Sequence, residues 1–172
     1  FCNIIVSILA LVFTGCGTPV IEDLPSYEES SLVKEGDKAP LFSATLLDGT
    51  EVSLADYQGE YMMLILFSHT CPDCKALLDD IKASTAEFEE LGVRILAIAR
   101  EGTVHEIEEY VATNSYCFDT AIDNNRAIYN LYATMYVPRC YLIDKEGYVA
   151  ATTIEYQSDH VPTLLSQIET LK

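Results

Sequence analysis

Cys71, Pro72, Asp73 and Cys74 place two thiols three positions apart, directly after the apolar run 61–67 and directly before a helical pattern. Three positions is nearly one helical turn, so both sulfurs fall close to one face and a disulfide can close without backbone movement. The first thiol stands where unpaired backbone N–H groups and the helix dipole favour negative charge, and therefore the nucleophilic thiolate. Access sets the order of events: Cys71, at the exposed helix end, is expected to attack, and Cys74, one turn deeper, to resolve the mixed disulfide. Pro72 suits the first turn because its missing N–H has no intrahelical partner to lose. Asp73 brings a carboxylate beside the sulfur, which opposes the helix dipole and should make the couple lean reducing. His69, two residues before Cys71, could stabilise the thiolate when protonated or relay a proton; the plainer reading is an exposed loop imidazole. A zinc half-site has the same CxxC spacing, but no second Cys/His pair at finger-like spacing accompanies it, so neither metal nor cofactor is expected.

The elements that would position these residues are legible as hydrophobic periodicity. Residues 61–67 form a continuous apolar strand of the kind buried on both faces. Cys74, Leu77, Leu78, Ile81, Thr85, Phe88 and Leu91 recur at helical spacing, with Gly92 as a stop, and 93–99 is a second apolar strand, which makes a parallel crossover unit. Shorter helical patterns lie at Val104, Ile107 and Val111 and at Ala127, Ile128, Leu131 and Tyr132, with an edge strand within 116–122 between them. Residues 140–144 and 148–154 should pair antiparallel about Lys145-Glu146-Gly147, and 41–47 with 50–54 about Asp48-Gly49. A last helix, capped by Ser158 or Asp159, buries Val161, Leu164, Leu165, Ile168 and Leu171.

Composition bounds the partners. The 172 residues are 49% apolar and 22% charged, enough for one well-filled core, and 27 acids against 10 Lys and Arg give a formal charge of -17. Such a surface repels phosphate backbones, so nucleic acid is excluded as a partner. Residues 1–13 read as the h-region of a signal peptide, too short for a comfortable membrane span, and Thr14-Gly15-Cys16 resembles a bacterial lipobox with Phe13 where Leu is usual. The expectation is a leader over 1–16, lipid attachment at Cys16, a flexible acidic tether over 17–36 and a folded domain over 37–172. Export would place the cysteines where disulfides persist.

A strand, CxxC and helix followed by a ββα unit opened by Val137-Pro138 resembles the thioredoxin fold, and most closely its TlpA-like, membrane-tethered branch. Ala39-Pro40-Leu41-Phe42 is similar to that branch's N-terminal motif, 47–54 to its added hairpin, and 137–147 to its Val-Pro strand and following turn. The resemblance implies an α/β thioredoxin-like fold, with a central mixed β-sheet flanked by helices and an added N-terminal β-hairpin. It implies a cis Pro138 facing the sulfurs and a Val137 backbone edge on which a substrate segment lies. It also implies a lipid-anchored thiol-disulfide oxidoreductase of the cell envelope, its domain facing the periplasm or exterior. Such an enzyme exchanges disulfides with exported proteins and is re-reduced by a membrane electron donor.

Departures from the pattern are specific. Thr70 stands where Trp is common, and Ile65 and Leu77 stand where some relatives carry an acid, so proton transfer from Cys74 needs water or another group. Cys140 reads as a packed thiol beneath the site, with a Cys117–Cys140 disulfide or a relay role as alternatives. Two other functions share these features: a peroxiredoxin-like thiol peroxidase, with Ser68 in place but Leu64 where a proline is expected, and a non-enzymatic metal-binding or tethered interaction module.

Overall fold

The computed structural model describes residues 24–171, so the leader, the lipobox and Cys16 lie outside the described residues. Among these the chain runs through β1 (Ser43–Thr45), β2 (Glu51–Ser53), a 3-10 turn (Leu54–Tyr57), β3 (Tyr61–Phe67), α1 (Pro72–Ala83) and α2 (Thr85–Glu90). It continues through β4 (Val93–Ala99), α3 (Val104–Asn114), β5 (Asp119–Ile122), α4 (Tyr129–Tyr132), β6 (Arg139–Ile143), β7 (Val149–Ile154) and α5 (His160–Thr170). One sheet has the order β5-β4-β3-β6-β7, and β1-β2 form a separate hairpin. β3 pairs parallel with β4, and β4 with β5; β6 is antiparallel to both β3 and β7. The fold is thus the thioredoxin-like mixed sheet with an added hairpin.

All of β3 is buried because its alternating side chains enter two different cores. Tyr61, Met63, Ile65 and Phe67 meet Leu77, Leu78 and Ile81 of α1, Ile107 of α3 and Leu164 and Ile168 of α5. Met62, Leu64 and Leu66 face Phe42, Leu54, Tyr129 and Tyr132 on the other side. At about 1.5–3 kcal/mol for each fully buried large apolar side chain, this strand contributes more than any surface element can, and it fixes where the chain emerges at Ser68.

Two expected helices differ in length. The stripe from Cys74 to Leu91 is divided at Ser84, whose φ of -104° and ψ of 11° leave the helix, while the Thr85 hydroxyl turns back to the Ile81 carbonyl at 3.1 Å. Gly92, at φ 74°, ends α2 as its position suggested. The pattern around 127–132 becomes the single turn α4, because Ala133 at φ -155° is already extended toward Val137-Pro138. The Asp123 carboxylate accepts the Tyr129 N–H at 2.7 Å and so supplies α4 with a cap from outside the helix.

The tether expectation is corrected over its described part. From Pro25 to Gly36 the chain lies against the fold: the Leu32 and Val33 N–H groups donate to the Tyr132 carbonyl, Ser31 bridges Ala133, and Ser30 is fully buried. The exposed Glu28 and Glu29 give the segment its solvated composition, but the serines beside them are ligands for a buried cation. Arg139, 1% exposed, donates from Nη2 to Ser30 Oγ at 2.7 Å, from Nη1 to Ser31 Oγ at 2.8 Å and from Nε to the Met135 carbonyl at 3.0 Å. All three partners are neutral oxygens, so the cost of burying the guanidinium is offset by hydrogen bonds alone. Further along, Gly36 and Asp37 exchange backbone bonds with Val149, and Glu35 accepts the Thr152 N–H at 3.1 Å, which covers the free edge of β7.

Replacing Ser30 with Ala should lower stability by about 1.5–3 kcal/mol, the range for a hydrogen bond to a charged group left unmade in the interior. Urea unfolding monitored by tyrosine fluorescence measures this; an unchanged midpoint would mean that the segment does not hold Arg139 in solution.

Candidate active site

The site forms where β3 ends and α1 begins. Cys71 is the N-cap of α1, with extended backbone at φ -90° and ψ 120°, and its sulfur takes the capping place of a serine or aspartate oxygen by accepting the Cys74 N–H at 3.4 Å. Pro72 opens the helix and Asp73 stands exposed in its first turn. The Cys71 thiol also lies 3.8 Å from the Val137 carbonyl, toward which it donates, and the Val137–Pro138 peptide is cis. Cys71 and Val137 are half-buried while Cys74 and Pro138 are buried, so one sulfur reaches solvent and the other does not.

Burial pushes the Cys74 thiol well above the ordinary cysteine range, and the Ser68 N–H, 3.4 Å from its sulfur, works against that shift. Ser68 connects onward: its hydroxyl donates to Glu101 Oε1 at 2.7 Å, and Arg126 Nη2 donates to Glu101 Oε2 at 2.6 Å. The Ser68 hydroxyl, with the Arg126 and Arg100 charges, holds the Glu101 carboxyl below the usual glutamate range. Sequence reasoning passed over this cluster. Its one visible signal is an acid two residues past the C-terminal end of β4, the strand parallel to β3, where the ends of adjacent parallel strands converge on a site.

His69 lies on the α3 side of the loop. Its ring sits edge-on to Tyr110 at 6.3 Å and crowds Gly102, where an added Cβ would lie 3.2 Å from the imidazole Cε1. Among the described residues no hydrogen bond links it to either sulfur. Cys140 on β6 pairs with Ile65 of β3 beneath the site; it is fully buried, and burial pushes its thiol up to about 12. Cys117 is exposed ahead of β5. β4 and β3 separate those two strands, a spacing on the order of 14 Å, so a Cys117–Cys140 disulfide is excluded. Among the described residues, no group of three or more His, Cys, Asp or Glu side chains is placed to hold a metal ion, and no helix is long and apolar enough to cross a membrane.

Residues 35–152 match the AhpC/TSA family, and the chain belongs to it. Over 143 residues it is 28% identical to the thiol-disulfide oxidoreductase ResA of Bacillus cereus, covering 83% of this chain and 82% of that one. Among solved structures it is similar to the thioredoxin domain of a thiol-disulfide oxidoreductase from Bacteroides vulgatus, with a TM-score of 0.71 at 19% identity over 79% of this chain and 99% of that one. It is also similar to a secreted Mycobacterium tuberculosis disulfide oxidoreductase homologous to E. coli DsbE, with a TM-score of 0.66 at 20% identity over 75% and 95%. The chain is a thiol-disulfide oxidoreductase with a thioredoxin-like fold.

In the native reduced protein iodoacetamide should modify Cys71 and Cys117 while Cys74 and Cys140 react only after denaturation; peptide mass mapping reads this, and rapid native labelling of Cys74 would contradict its burial. The depressed Glu101 carboxyl contributes stability that is present above about pH 4.3, the unperturbed glutamate value, and is lost as pH falls through the lower folded value. The gap in Tm between wild type and Glu101→Gln should therefore be open at neutral pH and close on acidification; a gap independent of pH would show that the carboxylate adds nothing to the fold.

Proposed function

We propose that this chain is an exported, lipid-anchored disulfide reductase of the cell envelope, with Cys71 as nucleophile and Cys74 as resolving thiol. The observation that carries the reading is the placement of the Cys71 sulfur between the Cys74 N–H and the Val137 carbonyl. The N–H stabilises a thiolate at this sulfur, and the carbonyl marks a backbone edge beside it where an extended partner segment can be held by main-chain hydrogen bonds.

In this reading the Cys71 thiolate attacks one sulfur of a substrate disulfide, breaking that bond and releasing the other substrate sulfur as a thiolate. The Cys74 thiolate then attacks Cys71 Sγ; the 71–74 disulfide forms, the bond to the substrate breaks, and two electrons have passed from the enzyme's dithiol to the substrate. Pro72 holds the helix start in place, and Pro138 closes the site against the sulfurs. The substrates are disulfide-containing exported proteins. A membrane dithiol donor restores the enzyme, and acylated Cys16 keeps the domain, facing the periplasm or exterior, within that donor's reach. The reducing direction rests on Asp73, whose charge disfavours the thiolate of the reduced form, since stabilising that form is what makes a couple oxidising.

Insulin reduction with dithiothreitol tests the activity: wild type should be active, Cys71→Ser inactive, and Cys74→Ser should accumulate mixed disulfides through Cys71. Full activity of Cys71→Ser would end the proposal. Equilibration with a redox buffer should give a potential near thioredoxin's, at about -270 mV, and Asp73→Asn should raise it; a wild-type value close to about -120 mV would reverse the direction. Labelling with a radioactive fatty acid should mark wild type and leave Cys16→Ser unlabelled.

A further inference from the structure

We propose that Glu101, gripped by Arg126, is a positioning residue for the resolving step, acting through Ser68 to hold a backbone N–H on the Cys74 sulfur. This rests on the exchange reading above and assigns a part of it that neither cysteine supplies. Ser68 is 2% exposed and is the first residue beyond β3. Its N–H donates to Cys74 Sγ at 3.4 Å, its carbonyl accepts the Cys71 N–H at 3.2 Å, and its hydroxyl is engaged by Glu101 at 2.7 Å and by Thr70 Oγ1 at 3.0 Å. One residue therefore touches the backbone of the attacking cysteine and the sulfur of the resolving one. Its side chain is fixed from outside the loop by Glu101, whose second oxygen is taken by Arg126 at 2.6 Å.

Resolution needs this support because Cys74 is buried. Before it attacks, Cys74 gives up a proton, which ends on the leaving substrate thiolate by way of water; the new thiolate must then be stabilised without solvent. Ile65 and Leu77, which line this part of the core, are apolar and fully buried, so neither takes that proton. Among the described residues, the Ser68 N–H is the hydrogen-bond donor on the Cys74 sulfur. Glu101 bonds the serine hydroxyl rather than the sulfur, so its influence passes through the geometry of Ser68.

The test uses the full chain carrying Cys2→Ser, Cys16→Ser and Cys117→Ser, reacted with Ellman's reagent in stopped flow. Attack by Cys71 releases the first chromophoric thiolate and resolution by Cys74 the second. Glu101→Gln and Ser68→Ala should each slow the second release about tenfold, the order of the difference between a charge-assisted hydrogen bond and a weaker or missing one, with the first release unchanged. The pH profile of the second release should move upward in both, Ser68→Thr should restore it, and the double variant should be no slower than the slower single one. An unmoved second release would overturn the proposal, as would losses that multiply. A profile moved downward would do the same, since Glu101 would then act only as a negative charge. A wild-type chain that releases nothing at Cys71 would remove the exchange reading and this inference with it, whereas an intact first release with an unmoved second removes this inference alone.

Discussion

A strand buried on both faces has to end somewhere, and at its end the chain must satisfy backbone groups that no longer have a ladder. In this protein that place is Ser68–Cys74. The strand stops at Phe67, α1 starts at Pro72, and two N–H groups at this junction find sulfur: the Ser68 N–H on Cys74 and, in the first turn of the helix, the Cys74 N–H on Cys71. Both thiols are thus acceptors that complete the backbone bonding of a strand-to-helix junction, as well as a reactive pair. Hydrogen bonds that close the structure also favour the charged form of sulfur, so the local fold and the redox chemistry draw on the same donors.

Burial divides the labour between the two sulfurs. Cys71 shares its surroundings with solvent and the Val137 carbonyl, while Cys74 looks inward to the core shared by α1, α3 and α5. An exposed thiol meets a partner readily; a buried one is spared from side reactions but carries a higher cost for ionising. The Ser68–Glu101–Arg126 chain lies where that cost falls, at the joined C-terminal ends of β3 and β4.

The N-terminal segment alters the picture of a domain on a free string. The Tyr136 hydroxyl donates to the Pro25 carbonyl, the Tyr27 ring packs edge-on against Tyr136 at 5.0 Å, and the Tyr27 hydroxyl donates to Glu155. With Arg139 clamped by Ser30 and Ser31, residues 25–31 brace both sides of the Val137–Pro138 turn. Residues 25–31 are therefore packed beside the active site and share contacts with the turn that closes it.

Local patterns in the chain were sufficient for the strand order of events and for the paired thiols. Continuous apolar runs at 61–67 and 95–99 can be satisfied only by burial on both faces, Asp48-Gly49 and Glu146-Gly147 dictate reversals, and CxxC spacing is a property of one helical turn. Two features needed the tertiary structure, each because its partners are far apart in the chain. Arg139 reads as an ordinary charged residue until residues 30 and 31, 109 and 108 positions away, supply its ligands. Glu101 reads as a solvated acid until the parallel register of β3 and β4 brings it against Ser68. The split of the long helix at Ser84 and the shortening of α4 turn on single-residue dihedrals that periodicity does not encode. Short-range spacing determined which atoms could react; long-range packing decided which groups hold them, because a hydrogen bond to a distant residue exists only after the sheet has closed the loop between them.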